Sequence, residues 1–219
     1  MSSFIKTLKD NAFKTLDVTG HVPDVHGWMD GQFSNVVASI LDKRDKKEPL
    51  TIFEVGSWKG KSCITIANTV KKMGFENVSI IAIDTWLGAP EFWTWGLSDP
   101  TRGISLKLNN GYPSVFYTFT KNVKYFGHHD IVAPFPISSI QAIDILNFYK
   151  INADLIYVDA SHEYEAVKED IKSYWNLLKN GGTMIGDDYH SSWPGVVKAV
   201  DEFPVKASVV GVVWKINKE

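Results

Sequence analysis

Asp159 closes the run Asp154-Leu155-Ile156-Tyr157-Val158, and the pair Asp187-Asp188 closes Thr183-Met184-Ile185-Gly186. If the two runs are neighbouring strands, about 4.8 Å apart, their acidic tips converge on one sheet edge. Ligands bind at that edge in open α/β sheets. Three carboxylates so close repel and raise one another's pKa unless a cation neutralises them. Oxygen ligands suit Mg²⁺ or a similar hard divalent ion, so Asp159, Asp187 and Asp188 are candidate metal ligands. His162 follows Asp159 by three residues and can face the space above such an ion. A hydroxyl held there is more acidic than in water, and a neutral imidazole can take its proton. His162 is therefore the candidate general base. Singly, each residue has a plainer use. An Asp at a strand-to-helix junction is a common N-cap, Asp-Asp before Tyr189 suits a turn, and a single His packs or faces solvent more often than it reacts.

A second constellation is Glu54-Val55-Gly56-Ser57-Trp58-Lys59-Gly60-Lys61-Ser62, placed where an apolar run becomes a helical pattern. A glycine-rich turn there lets backbone approach a ligand and aims helix N–H groups at it. Two nucleotide motifs almost match. A P-loop needs Gly at position 55, where Val55 stands, and a dinucleotide fingerprint needs Gly at 58, where Trp58 stands. What remains is an acidic-x-Gly-x-x-x-Gly-x-Ser turn, followed one strand later by Asp84 at the tip of Ile80-Ile81-Ala82-Ile83. An acid there either accepts both hydroxyls of a ribose lying across the first turn or serves as a solvated strand-end cap.

The elements that would carry these groups alternate. Residues 32–41 show helical spacing at 33, 36, 37, 40 and 41; Pro49 ends the charged stretch after it, and 50–55 reads as a buried strand. A helix to about Met73, a strand Val78 to Ile83, a short strand Ile131 to Ala133 and a helix Ser138 to Tyr149 follow. Next come a strand 154–159 and a helix with Tyr164, Val167, Ile171, Tyr174, Trp175 and Leu178 on one face. Asn180-Gly181-Gly182 stops that helix before a strand over 183–186. Such alternation specifies a parallel sheet with helices on both faces. The tail has a helix Val196 to Phe203 and two β-rich runs, Ala207 to Val210 and Val212 to Ile216, separated by Gly211. Strands that close in sequence cannot be parallel neighbours, so the last strand of the sheet is expected to be antiparallel. Residues 1–48 form a helical N-terminal segment in this reading, and 85–130, too long for an ordinary connection, an inserted lid.

The 219 residues are 44% hydrophobic and carry 23 Lys+Arg against 25 Asp+Glu, a formal charge of −2. One globular domain over 1–219 is expected. No basic cluster answers a nucleic acid or an anionic membrane surface. The single Cys63 excludes an internal disulfide and an all-cysteine metal site. With no secretory pattern and no apolar run near ~20 residues, the expected location is cytoplasmic. Trp86, Phe92, Trp93 and Trp95 suit the floor of an acceptor pocket or, equally, a homodimer contact. His26-Gly27-Trp28-Met29 either caps the site or packs against the sheet. His128-His129-Asp130 reads as a solvated loop, and His190 is a spare ligand or outer group that the sequence does not place.

The glycine turn together with Asp84 resembles the class I S-adenosylmethionine-dependent methyltransferases. Ile156-Tyr157-Val158-Asp159-Ala160-Ser161-His162-Glu163-Tyr164, with Gly181-Gly182-Thr183-Met184-Ile185-Gly186-Asp187-Asp188-Tyr189, resembles the metal-dependent O-methyltransferases, including the catechol type and those acting on macrolide sugars. Ile83-Asp84-Thr85-Trp86-Leu87-Gly88 is similar to the same group. The resemblance implies a Rossmann-like α/β fold with a seven-stranded, mainly parallel sheet, an antiparallel last strand and an inserted lid. It implies that Glu54, Gly56, Gly60 and Ser62, with Ser57 in the same turn, line the methionine end of S-adenosylmethionine. Asp84 would hold the ribose, with Thr85, Trp86 and Asp159 beside the cofactor and Ser138 at the adenine. The catechol enzymes carry Asp-Asn where this chain has Asp187-Asp188, and Lys where it has His162; the histidine is closer to the sugar-modifying relatives. The implied activity is Mg²⁺-dependent methyl transfer to a hydroxyl of a vicinal diol, sugar or catechol-like small molecule. Two other classes are an ATP-binding NTPase, with Gly60-Lys61-Ser62 on phosphate, and a cofactor-binding module without catalysis.

Overall fold

Leu50-Thr51-Ile52-Phe53-Glu54-Val55 lacks polar alternation, the mark of a strand covered on both faces. In the computed structural model, which describes residues 2–94 and 102–219, it is the central strand β1 (Leu50–Val55). It pairs in parallel with β2 (Val78–Asp84) on one side and β4 (Ala153–Val158) on the other. β3 (Val132–Pro136) lies parallel beyond β2, and β5 (Leu178–Gly186) parallel beyond β4. The chain then reverses: β7 (Val213–Asn217) runs antiparallel to β5, and β6 (Ser208–Val210) antiparallel to β7. The order β3-β2-β1-β4-β5-β7-β6 is the expected seven-stranded, mainly parallel sheet with a reversed end. Strand order turns around between β1 and β4, which opens a crevice above their carboxyl ends.

Alternate side chains of the strands feed two apolar layers. Leu50, Ile52, Ile80 and Leu155 pack with helices α2 (Phe33–Leu41), α3 (Lys61–Lys72) and α5 (Val115–Tyr125). Phe53, Val55, Ile81 and Ile156 pack on the other face with α6 (Ser139–Phe148), α7 (Tyr164–Leu177) and α8 (Pro194–Asp201). Each large aliphatic side chain so buried contributes about 1.5–3 kcal/mol. Helix α1 (Ser3–Phe13) lies against edge strand β3, and the short α4 (Pro90–Thr94) precedes a 3₁₀ turn at Gly103–Leu106.

Five expectations need correction. The strand expected over 183–186 begins at Leu178, because β5 absorbs Asn180-Gly181-Gly182 in a register shift against β4 instead of ending α7 there. Residues 1–48 are not helical throughout; 14–32, which connect α1 to α2, form no helix. Within 85–130, α5 is a crossover helix whose Val115, Phe119 and Val123 are buried in the core. Trp86 is core as well: it is 1% exposed, packs on Phe116 and Phe119, and donates its indole N–H to the Trp58 carbonyl at 2.7 Å. His128 is buried against Asn68, 3.0 Å from its side-chain oxygen, and not a solvated loop residue. Trp95 lies outside the described residues.

Candidate active site

Above the carboxyl ends of β1, β2 and β4 lies a cavity of about 930 Å³. That is room for a nucleoside-sized cofactor with a small second ligand. Gly56, Ser57, Ser62, Asp84, Thr85, Ser138, Asp159, His162, Asp187 and Asp188 all line it. The sequence-predicted groups therefore share one chamber. Glu54, Gly60 and Trp86 are not among the residues that line it, and Glu54 and Trp86 are buried beside it.

The floor is the turn after β1. Gly56 adopts φ +90°, donates its N–H to the Ile83 carbonyl at 2.9 Å, and sits where an added Cβ would be 2.0 Å from the Asp159 carbonyl oxygen. Only glycine lets the chain pass between β2 and β4 here. The Asp84 carboxylate accepts the N–H groups of Ser57 at 2.9 Å, Trp58 at 2.8 Å and Trp86 at 2.6 Å. It caps the turn and lines the cavity. Below it, Glu54 is fully buried, accepts the Ser57 hydroxyl at 2.6 Å, and burial pushes its carboxyl up to about 7.

That shift has a definite sign. Between about pH 4.5 and 7 the folded protein keeps a proton on Glu54 that the unfolded chain has released, so stability falls as pH rises across this window. Glu54→Gln, which can still accept from Ser57, is expected to flatten the stability–pH curve by about 3 kcal/mol. Urea unfolding at the two ends of the window reads it. An unchanged slope would show that Glu54 is ionised throughout.

The same turn argues against the P-loop alternative. Its Ser57 and Trp58 amides point at a carboxylate, Lys61 donates to the Gly27 carbonyl at 2.7 Å, and Lys59 is paired with Asp24 at 2.9 Å. Both lysines hold down the segment 14–32. Asn122 joins them by donating to the Asp24 and Lys59 carbonyls. Gly27, Trp28, Met29 and Asp30 consequently line the cavity, Met29 also packs against the core, and His26 does not line the cavity.

At the other end the acidic tips meet. Ligand atoms of Asp159, His162 and Asp188 lie within 4.8 Å of one another, with His162 Nε2 2.8 Å from Asp188 Oδ2. Asp187 is turned inward: its Oδ1 accepts the Asp188 amide at 2.9 Å, and its Oδ2 lies 3.2 Å from the Tyr157 hydroxyl, which is also 3.0 Å from Asp159 Oδ2. Burial and the neighbouring carboxylates push Asp159 well above its usual range, and burial raises Asp187 too. A cation among these oxygens would relieve that cost. The carboxylate oxygens of Asp159 and Asp188, with Asp187 beside them, fit a hard divalent ion such as Mg²⁺ or Mn²⁺, and leave His162 next to it. Asp188 takes φ +63°, a strained conformation of the sort that collects at functional sites.

Sequence reasoning did not anticipate what holds His162. Trp193 stacks on its ring with centroids 3.9 Å apart and planes at 21°, and Glu91 Oε1 from α4 stands 3.6 Å from Nδ1. The start of α8 presses on the same loop, for a Cβ on Gly195 would lie 2.5 Å from the His162 carbonyl oxygen. Tyr157 was signalled by strand period two, which places it on the same side as Asp159. Glu91 and Trp193 carry no such signal, because they arrive from distant segments. His190 bonds Ser192 and does not line the cavity. Phe92 lines it against Trp58 and Trp28, whereas Trp93 is 41% exposed and ties back to the Leu87 carbonyl. Arg102 lies over the Trp28 ring at 5.0 Å.

Residues 53–189 match a family described as a methyltransferase domain. An uncharacterised protein of Acanthamoeba polyphaga mimivirus, R132, is 21% identical over 178 residues, spanning 76% of this chain and 69% of that protein. Among solved structures, the O-methyltransferase NovP superposes with a TM-score of 0.58 at 18% identity, covering 85% of this chain and 78% of its own. An O-methyltransferase from Bacillus cereus, solved with SAH, gives 0.58 at 12% identity over 97% of this chain and 91% of its own.

Proposed function

The chain belongs to the methyltransferase-domain family, and from that premise we propose that it is an S-adenosylmethionine-dependent O-methyltransferase acting, with a divalent cation, on a vicinal diol, sugar or catechol-like acceptor. The observation that carries this reading is the convergence of Asp159, His162 and Asp188 in the cavity floored by the Gly56 turn. The cofactor supplies an electrophilic methyl group. A divalent cation, held by Asp159 and Asp188 with Asp187 beside them, would make an acceptor hydroxyl more acidic and fix a second oxygen next to it. His162, its ring fixed by Trp193, takes the hydroxyl proton, and the freed oxygen attacks the methyl carbon in line as that carbon's bond to sulfur breaks and S-adenosylhomocysteine leaves, with no covalent enzyme intermediate. Trp28, Trp58 and Phe92 exclude water and offer apolar faces to a ring. The Trp58 indole N–H is buried and has no hydrogen-bond partner among the described residues. The Bacillus cereus relative solved with SAH supports the choice of cofactor. A reducing cytoplasm suits the single buried Cys63; no helix among the described residues is long and apolar enough to cross a membrane.

The test is transfer of labelled methyl from S-adenosylmethionine to catechol and to sugar diols, with Mg²⁺ or with a chelator. Product methylated on oxygen and lost on chelation is expected; product formed equally well under chelation refutes the metal role. A second expectation concerns Tyr157, whose hydroxyl orients Asp159 and Asp187 from below. Tyr157→Phe is expected to weaken Mn²⁺ binding by about 10-fold or more, as loss of an outer hydrogen bond to a ligand does. Paramagnetic titration reads it directly, and an unchanged affinity would free the two carboxylates from any dependence on Tyr157.

A further inference from the structure

His162 has an acid at each ring nitrogen. Asp188 Oδ2 stands 2.8 Å from Nε2, and Glu91 Oε1 stands 3.6 Å from Nδ1. Asp188 follows β5, whereas Glu91 belongs to α4, and that short helix is fastened around it. The buried Phe92 packs against Trp58 with ring centroids 4.4 Å apart, and the Trp93 indole N–H donates to the Leu87 carbonyl at 2.9 Å. Gly88, at φ +80°, makes the turn into α4, where an added Cβ would lie 2.7 Å from a Leu106 methyl. Glu91 is thereby carried on an anchored piece of backbone, with its side chain 18% exposed and in the cavity wall.

We propose that Glu91 is a positioning residue for the base: it keeps the imidazole hydrogen on Nδ1 and leaves Nε2, the nitrogen beside Asp188, bare to receive the acceptor's proton. The proposal rests on the reaction assigned above. A neutral imidazole carries one hydrogen, and the nitrogen that holds it is set by the acceptor this hydrogen meets. With the hydrogen on Nε2 the ring would point a donor at the acceptor hydroxyl and could not take its proton there. Asp188 and Glu91 compete for that single hydrogen. A cation held by Asp159 and Asp188 draws on the Asp188 oxygens, and Glu91 is then the carboxylate left to the ring. Contacts to a base are often long before substrate binds and tighten in the complex, which suits the 3.6 Å separation. Trp193 stacks on the ring face but its indole is a donor only, so it holds the plane and not the tautomer. The proton taken at Nε2 makes an imidazolium whose Nδ1–H still faces Glu91.

Long-range proton–nitrogen correlation on protein labelled with ¹⁵N-histidine tests this, with Mg²⁺ and S-adenosylhomocysteine present, at about pH 8.5, where an ordinary imidazole is neutral. His162 is one of six histidines, and its signals are those missing from His162→Ala. The wild type is expected to show a protonated Nδ1 and a bare Nε2, and Glu91→Ala to show the hydrogen moved to Nε2. Turnover of Glu91→Ala is expected to fall by about 10-fold or more, with acceptor KM and S-adenosylhomocysteine affinity within about 3-fold of wild type. A wild type with its hydrogen on Nε2 overturns the proposal whether or not the variant folds, and so does a folded Glu91→Ala that keeps Nδ1–H or wild-type turnover. A fall in cofactor affinity parallel to that in turnover overturns it too, by making Glu91 a structural support. Absence of methyl transfer by the wild type to every acceptor tried is a different result: it removes the reaction, and this role with it.

Discussion

His162→Ala is expected to lower turnover by about 10²- to 10⁴-fold, the usual contribution of a positioned general base, while leaving S-adenosylhomocysteine affinity unchanged. The separation follows from geometry. His162 stands beside Asp188 and Asp159 after β4, whereas Ser138 follows β3, three strands away, and the His162 ring is pinned by Trp193 and not by the glycine turn. Removing the imidazole takes away the proton acceptor without disturbing the floor on which a cofactor would lie. Steady-state rates with saturating acceptor, together with calorimetry on the same preparation, read both halves. Turnover within about 3-fold of wild type would take the base role from His162; a parallel loss of cofactor affinity would make its contribution structural.

Gly56→Ala is expected to cost the fold more than about 4 kcal/mol, the range reserved for backbone clashes and strained conformations in a core. Two independent penalties combine there. A side chain at φ +90° is strained in itself, and the new Cβ would lie 2.0 Å from the carbonyl oxygen and 2.5 Å from the carbonyl carbon of Asp159. Neither atom can step aside, since the Asp159 amide is bonded to the Val55 carbonyl at 2.8 Å and the loop after it carries His162. Gly31→Ala is the control, with nothing within 4 Å of the added carbon and no positive φ. Urea denaturation of both variants measures the difference; a Gly56→Ala midpoint equal to that of Gly31→Ala would mean that β1 and β4 are not as closely joined as described.

Much of this architecture is legible in the residues themselves. Apolar runs ending in Asp84, Asp159 and Asp187-Asp188 mark strand tips, and the single Gly211 between two β-rich runs demands an antiparallel end. The chain writes those features locally. Helical spacing at Val115, Phe119 and Val123 likewise announces α5, but the surrounding aromatic and polar residues blur its face and make the segment look like a lid. Trp86 shows why residue type alone misleads. It follows a ligand-facing pair, Asp84-Thr85, yet its backbone at φ +54° turns the indole back into the core. The partners of His162 are illegible for another reason: Glu91 and Trp193 reach it across 71 and 31 residues of chain, through packing that no local pattern encodes.

The most direct test of the central claim is calorimetric titration of the purified protein with S-adenosylhomocysteine and, separately, with ATP, each with and without Mg²⁺. The arrangement of Asp84 over the Ser57 and Trp58 amides, with Lys59 and Lys61 drawn away to the N-terminal segment, predicts binding of S-adenosylhomocysteine and no heat from ATP under either condition. Mg²⁺-dependent binding of ATP without binding of S-adenosylhomocysteine would contradict it, and would return the Gly60-Lys61-Ser62 turn to phosphate.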